Sequence, residues 1–134
     1  MLPNLPAGSY YSRAIRLLCP VCGGDRPFVN WLKMRNRCRA CGFVYEREPG
    51  YFLGSTYLNY GTTAALCAIA WLVLVLAFGV KTENCWPAWV VIGAAFPLWF
   101  FRYARLWWCA FDLACDPPTT KDFATEDRNI RPLE

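Results

Sequence analysis

The stretch CPVCGGDRPFVNWLKMRNRCRACG, residues 19–42, sets Cys19, Cys22, Cys38 and Cys41 in a C-x2-C-x15-C-x2-C spacing. That spacing reads as a tetrahedral metal site. Two cysteines three positions apart bend around one ion, and the amides of the turn point at the sulfurs and offset their charge. Gly23 and Gly42 each follow the second cysteine of a pair, where the chain needs a positive φ. Pro20 pre-sets the φ of the first turn. The chain has no histidine, so the ligands are all thiolate, which favours Zn2+ with iron as the alternative. A redox-active dithiol is a third reading, weakened because a thioredoxin-like site needs one such pair and not two. Four thiolates close the coordination shell, and no carboxylate pair stands inside the module. The metal is therefore expected to be structural, with no catalytic residues and no enzyme activity.

The flanks extend this into a fold. AIRLL (14–18) is expected as a short strand into the first turn, PFVNWLKMRNR (27–37) as a hairpin arm, and FVYE (43–46) as a strand after the second turn. The reading is a small zinc-ribbon-like β module. A unit this small cannot bury a sufficient core, so the metal must supply much of its folding energy.

Downstream the composition changes. Residues 1–60 carry eight Lys/Arg (Arg13, Arg16, Arg26, Lys33, Arg35, Arg37, Arg39, Arg47) against three acids, and residues 61–80 carry no charge. Only 18% of the chain is charged, against about 25% in ordinary soluble domains. Twenty uncharged residues make about 30 Å of helix, the thickness of a hydrocarbon core. Tyr51, Phe52, Tyr57 and Tyr60 suit an interfacial belt ahead of this span. VKTENC (80–85) is a polar turn, and WPAWVVIGAAFPLWFF (86–101) opens a second span with Pro87 in its first turn and Pro97 inside. That span is expected to run past Arg102 and Arg105, which snorkel, with Trp107 and Trp108 at the far interface.

The fold class is thus a β module followed by a two-helix transmembrane hairpin. Its parts are an N-terminal arm (1–12), the four-cysteine module (13–48), an interfacial segment and first span (49–80), an external turn (81–86), a second span with a basic inner end (87–115) and a polar tail (116–134). Lys/Arg concentrate before the first span and after residue 101, which puts both termini in the cytoplasm. A reducing compartment also favours metal binding over disulfides. No secretory leader is expected, because the first apolar stretch begins about sixty residues in.

Of the other cysteines, Cys67, Cys109 and Cys115 read as small apolar packing, and Cys85 as facing outside. Gly50, Gly54, Gly61, Ala65 and Ala68 form a small-residue stripe opposite Gly93 and Ala94, suited to close helix contact. Ser55, Asn59, Thr62 and Thr63 offer hydrogen bonds to a neighbouring helix or to water.

The pattern resembles a family of small bacterial membrane proteins, domain-of-unknown-function family 983. The resemblance rests on R-x-x-C-P-V-C-G (16–23), F-V-N-W-L-K (28–33), C-R-A-C-G (38–42) and the hairpin that follows, over roughly residues 13–115. It departs in the cysteine-rich second span and the polar tail. It implies a cytoplasmic four-cysteine module fused to two helices in the bacterial inner membrane, with no established enzymatic activity. Genes of the family stand near those of cytochrome oxidase and its assembly factors, which implies a membrane redox complex.

The expected function is a non-catalytic accessory subunit or assembly factor of a larger integral membrane complex of respiratory or photosynthetic electron-transfer type, seated in the lipid bilayer. The two tails, without a core of their own, are expected to be held by that partner. One alternative is a membrane-tethered rubredoxin-like electron-transfer or thiol-redox module. Another is a nucleic-acid-binding ribbon using Arg35, Arg37 and Arg39. Membrane apposition is the simpler account of those arginines, so neither nucleic acid nor a small-molecule substrate is expected.

Overall fold

A computed structural model describes residues 6–123. It is mostly helical: α1 spans Ala7–Ile15, α2 Leu53–Leu72 and α3 Trp86–Cys115. The four-cysteine module lies between α1 and α2. Among the described residues no run of strand forms. The extended pairs Phe28–Met34, Arg37–Val44 and Phe43–Phe123 each make a single antiparallel bridge.

The strand expected over AIRLL is replaced by the end of a helix. Leu18 N–H donates to Arg13 O and Leu17 N–H to Ala14 O, both at 3.0 Å. Leu17 takes the left-handed conformation at φ 55°. This is a Schellman turn, with leucine where glycine is usual. The conformation costs about 1 kcal/mol in a non-glycine residue. Burial of the Leu17 side chain against the core offsets it.

One continuous core joins α1, the module and the second half of α3. Tyr10 and Ala14 of α1, Val21, Phe28, Met34, Phe43 and Tyr45 of the module, and Leu106, Ala110 and Leu113 of α3 are buried together. In the second half of α3, Leu106, Ala110 and Leu113 are buried against the module and α1, while Trp107 and Phe111 stay partly exposed. Trp107 packs edge-on against Tyr11 at 6.3 Å between ring centroids, and so serves the α1–α3 contact. The described parts of the two tails pack on their own chain. α1 docks on α3, and Phe123 packs edge-on against Phe43. The remainder of both tails, 1–5 and 124–134, lies outside the described residues.

α2 continues through a turn of π-helix, Val73–Ala77, so that Leu53–Ala77 makes 25 helical residues. Among the described residues it is the one helix long and apolar enough to cross a membrane, and it is almost wholly exposed. α3 carries Arg102, Arg105 and Asp112 in its second half. Its first half, up to Phe101, is uncharged and exposes Trp86, Val90, Val91 and Leu98. A link containing Gly79 at φ 61° and a 3-10 turn, Thr82–Asn84, joins the two helices.

The helix contact uses part of the small-residue stripe. Trp108 lies across Gly54, whereas Gly61 and Gly93 face open space. Asn59 does reach the neighbouring helix, donating from Nδ2 to Pro97 O at 3.0 Å. Ser55, Thr62 and Thr63 instead donate to carbonyls of their own helix or its first turn. Cys85 is buried and not presented to the outside. Its Sγ meets Lys81 O across the turn.

Candidate metal centre

The two cysteine turns are built alike. Gly23 N–H donates to Cys19 O at 2.8 Å and Gly42 N–H to Cys38 O at 3.0 Å. The glycines sit at φ 71° and 76°, the positive values their place after each second cysteine demands. The amides of Val21 and Cys22 point at Cys19, and those of Ala40 and Cys41 point at Cys38. Gly24 N–H meets Cys22 Sγ at 3.3 Å, and the Phe43 amide does the same for Cys41. Each sulfur therefore faces at least one backbone dipole that favours negative charge.

The four sulfurs all lie within 4.8 Å of one another. Cys19 and Cys41 are 3.9 Å apart, and Cys22 and Cys38 3.6 Å. A tetrahedral zinc with bonds of about 2.3 Å needs sulfurs about 3.8 Å apart. The four cysteines fit a single metal ion. All eight cysteines are free thiols.

Burial pushes the Cys19 thiol up to about 11, and drives Cys41 higher still. Burial acts the same way on Cys38, but the Cys41 and Ala40 amides outweigh it and hold that thiol below its usual value. The hydroxyl of Tyr45 is buried and has no hydrogen-bond partner among the described residues. Its pKa is raised by burial first and then by the Cys19 and Cys38 sulfurs beside it. A buried hydroxyl beside those two sulfurs fits a site in which they carry charge.

Neighbouring residues brace the two turns. Arg13 of α1 reaches under the first turn and donates to Val21 O and to Pro20 O, the latter at 3.2 Å. Asp25 ties the turns together: its carboxylate accepts from the Arg26 amide at 2.8 Å and the Arg39 amide at 3.0 Å, while Arg35 pairs with it at 3.3 Å. The Arg39 amide holds that carboxyl below the usual range, with Arg26 and Arg35 adding to it.

A second cluster clamps the module to the end of α3. Arg47 donates to both oxygens of Asp122, at 3.0 and 2.8 Å, and to Asp112 at 2.8 Å, and it pairs with Asp116 at 3.1 Å. Tyr51 donates to the same Asp112 oxygen at 2.9 Å. Burial alone would lower the Arg47 guanidinium, and the Asp122 and Asp112 carboxylates more than reverse it. Asp122 also caps its own turn by accepting from Thr119 N–H at 2.7 Å. The spacing T-x-x-D over 119–122 is a capping signal legible in the sequence, and Phe123 behind it is the apolar anchor.

Among the described residues no acid–base pair stands beside the sulfurs. What it can do chemically is hold an ion and, through it, fasten chain segments together.

No curated protein and no solved structure matches the chain. The family described as "Protein of unknown function (DUF983)" matches residues 28–112, more than half of the 134. That span takes in the hairpin arm, the second cysteine pair and both long helices, and the chain belongs to the DUF983 family.

Proposed function

We propose that this is a two-span protein of the bacterial inner membrane whose four-cysteine site holds one structural zinc in a ribbon-like cytoplasmic module. In this reading it serves as a non-catalytic accessory subunit or assembly factor of a larger membrane complex of electron-transfer type. The observation that carries the proposal is the shared core. The metal module is packed into the second half of α3 with Leu106 and Leu113 fully buried, while α2 and the first half of α3 expose apolar side chains along their length. A closed four-sulfur site welded to a helix holds geometry; it has no open position for substrate. Exposed helix faces with no central charge equip the protein for lipid and neighbouring helices and lack the means for ion transport. Lys/Arg before α2 and beyond Phe101 support cytoplasmic termini.

Metal analysis together with mild-detergent purification from native membranes tests this reading. One zinc per chain and a stable larger assembly are expected. A chain that migrates alone under every mild condition would sink the accessory role.

A rubredoxin-like iron site is the second reading. Cys22 and Cys41 are only half-buried, so two sulfurs lie near the surface where an electron can leave. Visible absorbance separates the two, because ferric thiolate is coloured and zinc thiolate is not. The nucleic-acid reading loses one of its three arginines, since Arg35 is engaged by Asp25 and by Arg26 O.

A further inference from the structure

The hairpin arm of the module reaches back along the first half of α3. Pro27–Arg35 forms a short arm closed by Arg35 N–H to Pro27 O at 2.7 Å and Val29 N–H to Lys33 O at 2.9 Å. Its tip presents three apolar side chains, Val29 at 52%, Trp31 at 51% and Leu32 at 57% exposure. A cluster of this kind on so small a module needs a covering partner.

The direction of the tip is fixed by one long-range bond. Trp31 Nε1–H donates to Leu98 O at 3.0 Å. Leu98 belongs to the uncharged first half of α3, four residues or about 6 Å beyond Arg102 on the side away from the module's core. At that height α3 itself exposes Leu98 and Trp99. Whatever medium covers those two side chains also covers the tip.

Arg102 marks the boundary. Its guanidinium lies 4.9 Å from the Phe28 ring centre and 5.1 Å from that of Trp31. It has no carboxylate partner among the described residues, and its Nε is buried without a hydrogen bond. A cation held between two aromatic faces at the foot of an apolar tip matches the phosphate level of a bilayer, and Lys33 is exposed on the same arm.

We propose that the tip of the 27–35 arm is a membrane-inserting wedge. Val29, Trp31 and Leu32 enter the acyl region of the cytoplasmic leaflet beside α3, and Arg102 meets a lipid phosphate. The proposal rests on the membrane-spanning reading given above. It makes the metal module partly monotopic: the ion stiffens a head that lies in the interface instead of standing above it.

Photo-cross-linking of the full chain in native membranes tests this, with p-benzoylphenylalanine placed at one position at a time. Leu32 and Val29 report on the tip, Arg39 on the cysteine-turn end of the module, and Leu76 on the α2 span. Lipid adducts at Leu32, Val29 and Leu76, with none at Arg39, are the expected result. A protein adduct at Leu32 in place of lipid overturns the wedge and makes the tip a docking site for a partner. Lipid adducts at Leu76 but not at either tip position overturn the wedge and leave the span intact. Lipid adducts at Arg39 as strong as those at Leu32 overturn it too, because the whole module would then lie on the surface without insertion. Absence of lipid at Leu76 overturns the membrane reading, and the wedge falls with it.

Discussion

Trp108 of α3 lies against the backbone of α2 at Gly54, so that a Cβ on that glycine would overlap the indole. The contact admits no side chain, and it fixes how closely the two long helices approach at the module end. Gly54→Ala should force Trp108 out of place. Overpacking of this kind costs about 1–3 kcal/mol. Thermal aggregation of detergent-solubilised protein should begin at lower temperature in Gly54→Ala, and Gly61→Ala, which meets nothing within 4 Å, should behave as wild type.

The Arg47 clamp gives a second expectation. Its side chain is 11% exposed and serves three carboxylates at once. Arg47→Ala leaves Asp112 and Asp122 facing one another without a cation, and partial burial makes the loss about 2 kcal/mol or more. Arg47→Lys should recover only part of it, because an ammonium cannot grip Asp122 with two parallel bonds. Limited proteolysis after Lys121 reads the release of the 117–123 segment.

Acid should loosen the same clamp. Burial raises the Asp122 carboxyl, but its bonds with Arg47 and Thr119 outweigh this, and the folded pKa is depressed. A depressed carboxylate contributes stability that is present above its unfolded pKa of about 3.9 and is lost as pH falls through the folded value. Asp122→Asn should therefore differ most from wild type near neutrality, and the two should converge at low pH. Exchange of the Val44 amide, which donates to Asp122 O at 2.8 Å, reports the difference. A gap that widens on acidification would contradict the assignment.

Metal removal should be felt beyond the cysteine turns. The module shares its core with α1 and the end of α3, so Cys38→Ser or exhaustive chelation should deprotect Leu106–Leu113 and the 7–15 helix together. Protection along 60–77 should survive, since that stretch of α2 stands outside the core. Hydrogen exchange with mass spectrometry resolves the two regions. Loss confined to 19–42 would show that the module folds as a separate unit.

Topology can be probed at the link between the long helices. Glu83 is exposed, whereas Cys85 is buried beneath the turn. An impermeant thiol reagent on intact cells should label Glu83→Cys and spare native Cys85 and Cys115. Labelling of Cys115 from outside would reverse the orientation.

The parts of this molecule that local chemistry determines were legible in the chain. Cys19, Cys22, Cys38 and Cys41 converge as their spacing requires, and Gly23 and Gly42 adopt the positive φ that each turn needs. The apolar run after Gly61 lies in the helix that, among the described residues, is long and apolar enough to cross a membrane. What escaped depends on contacts distant in sequence. AIRLL, short and apolar ahead of a cysteine turn, reads as a strand, and only the docking of Tyr10 and Ala14 in the shared core makes it the end of a helix. The second half of α3 reads as a basic membrane boundary. That its arginines are laid over aromatic rings, with Arg105 at 4.5 Å from Phe52 and 4.6 Å from Phe101, is not legible there. The 117–123 segment looks like solvated tail until Phe123 finds Phe43, eighty residues earlier.

That last pairing bears on how the molecule is made. The core of the metal module draws on α1, on the far half of α3 and on Phe123, so its parts are separated by both long helices. In the two-span topology proposed above, it cannot close while either helix is still being threaded into the bilayer. The cysteine turns emerge early from the ribosome but reach their final setting only after synthesis has passed Phe123, an order that makes assembly of the head the last event and a check on correct insertion of the hairpin. In that topology, a chain whose second helix failed to return would leave the head unfinished and its thiols open to attack.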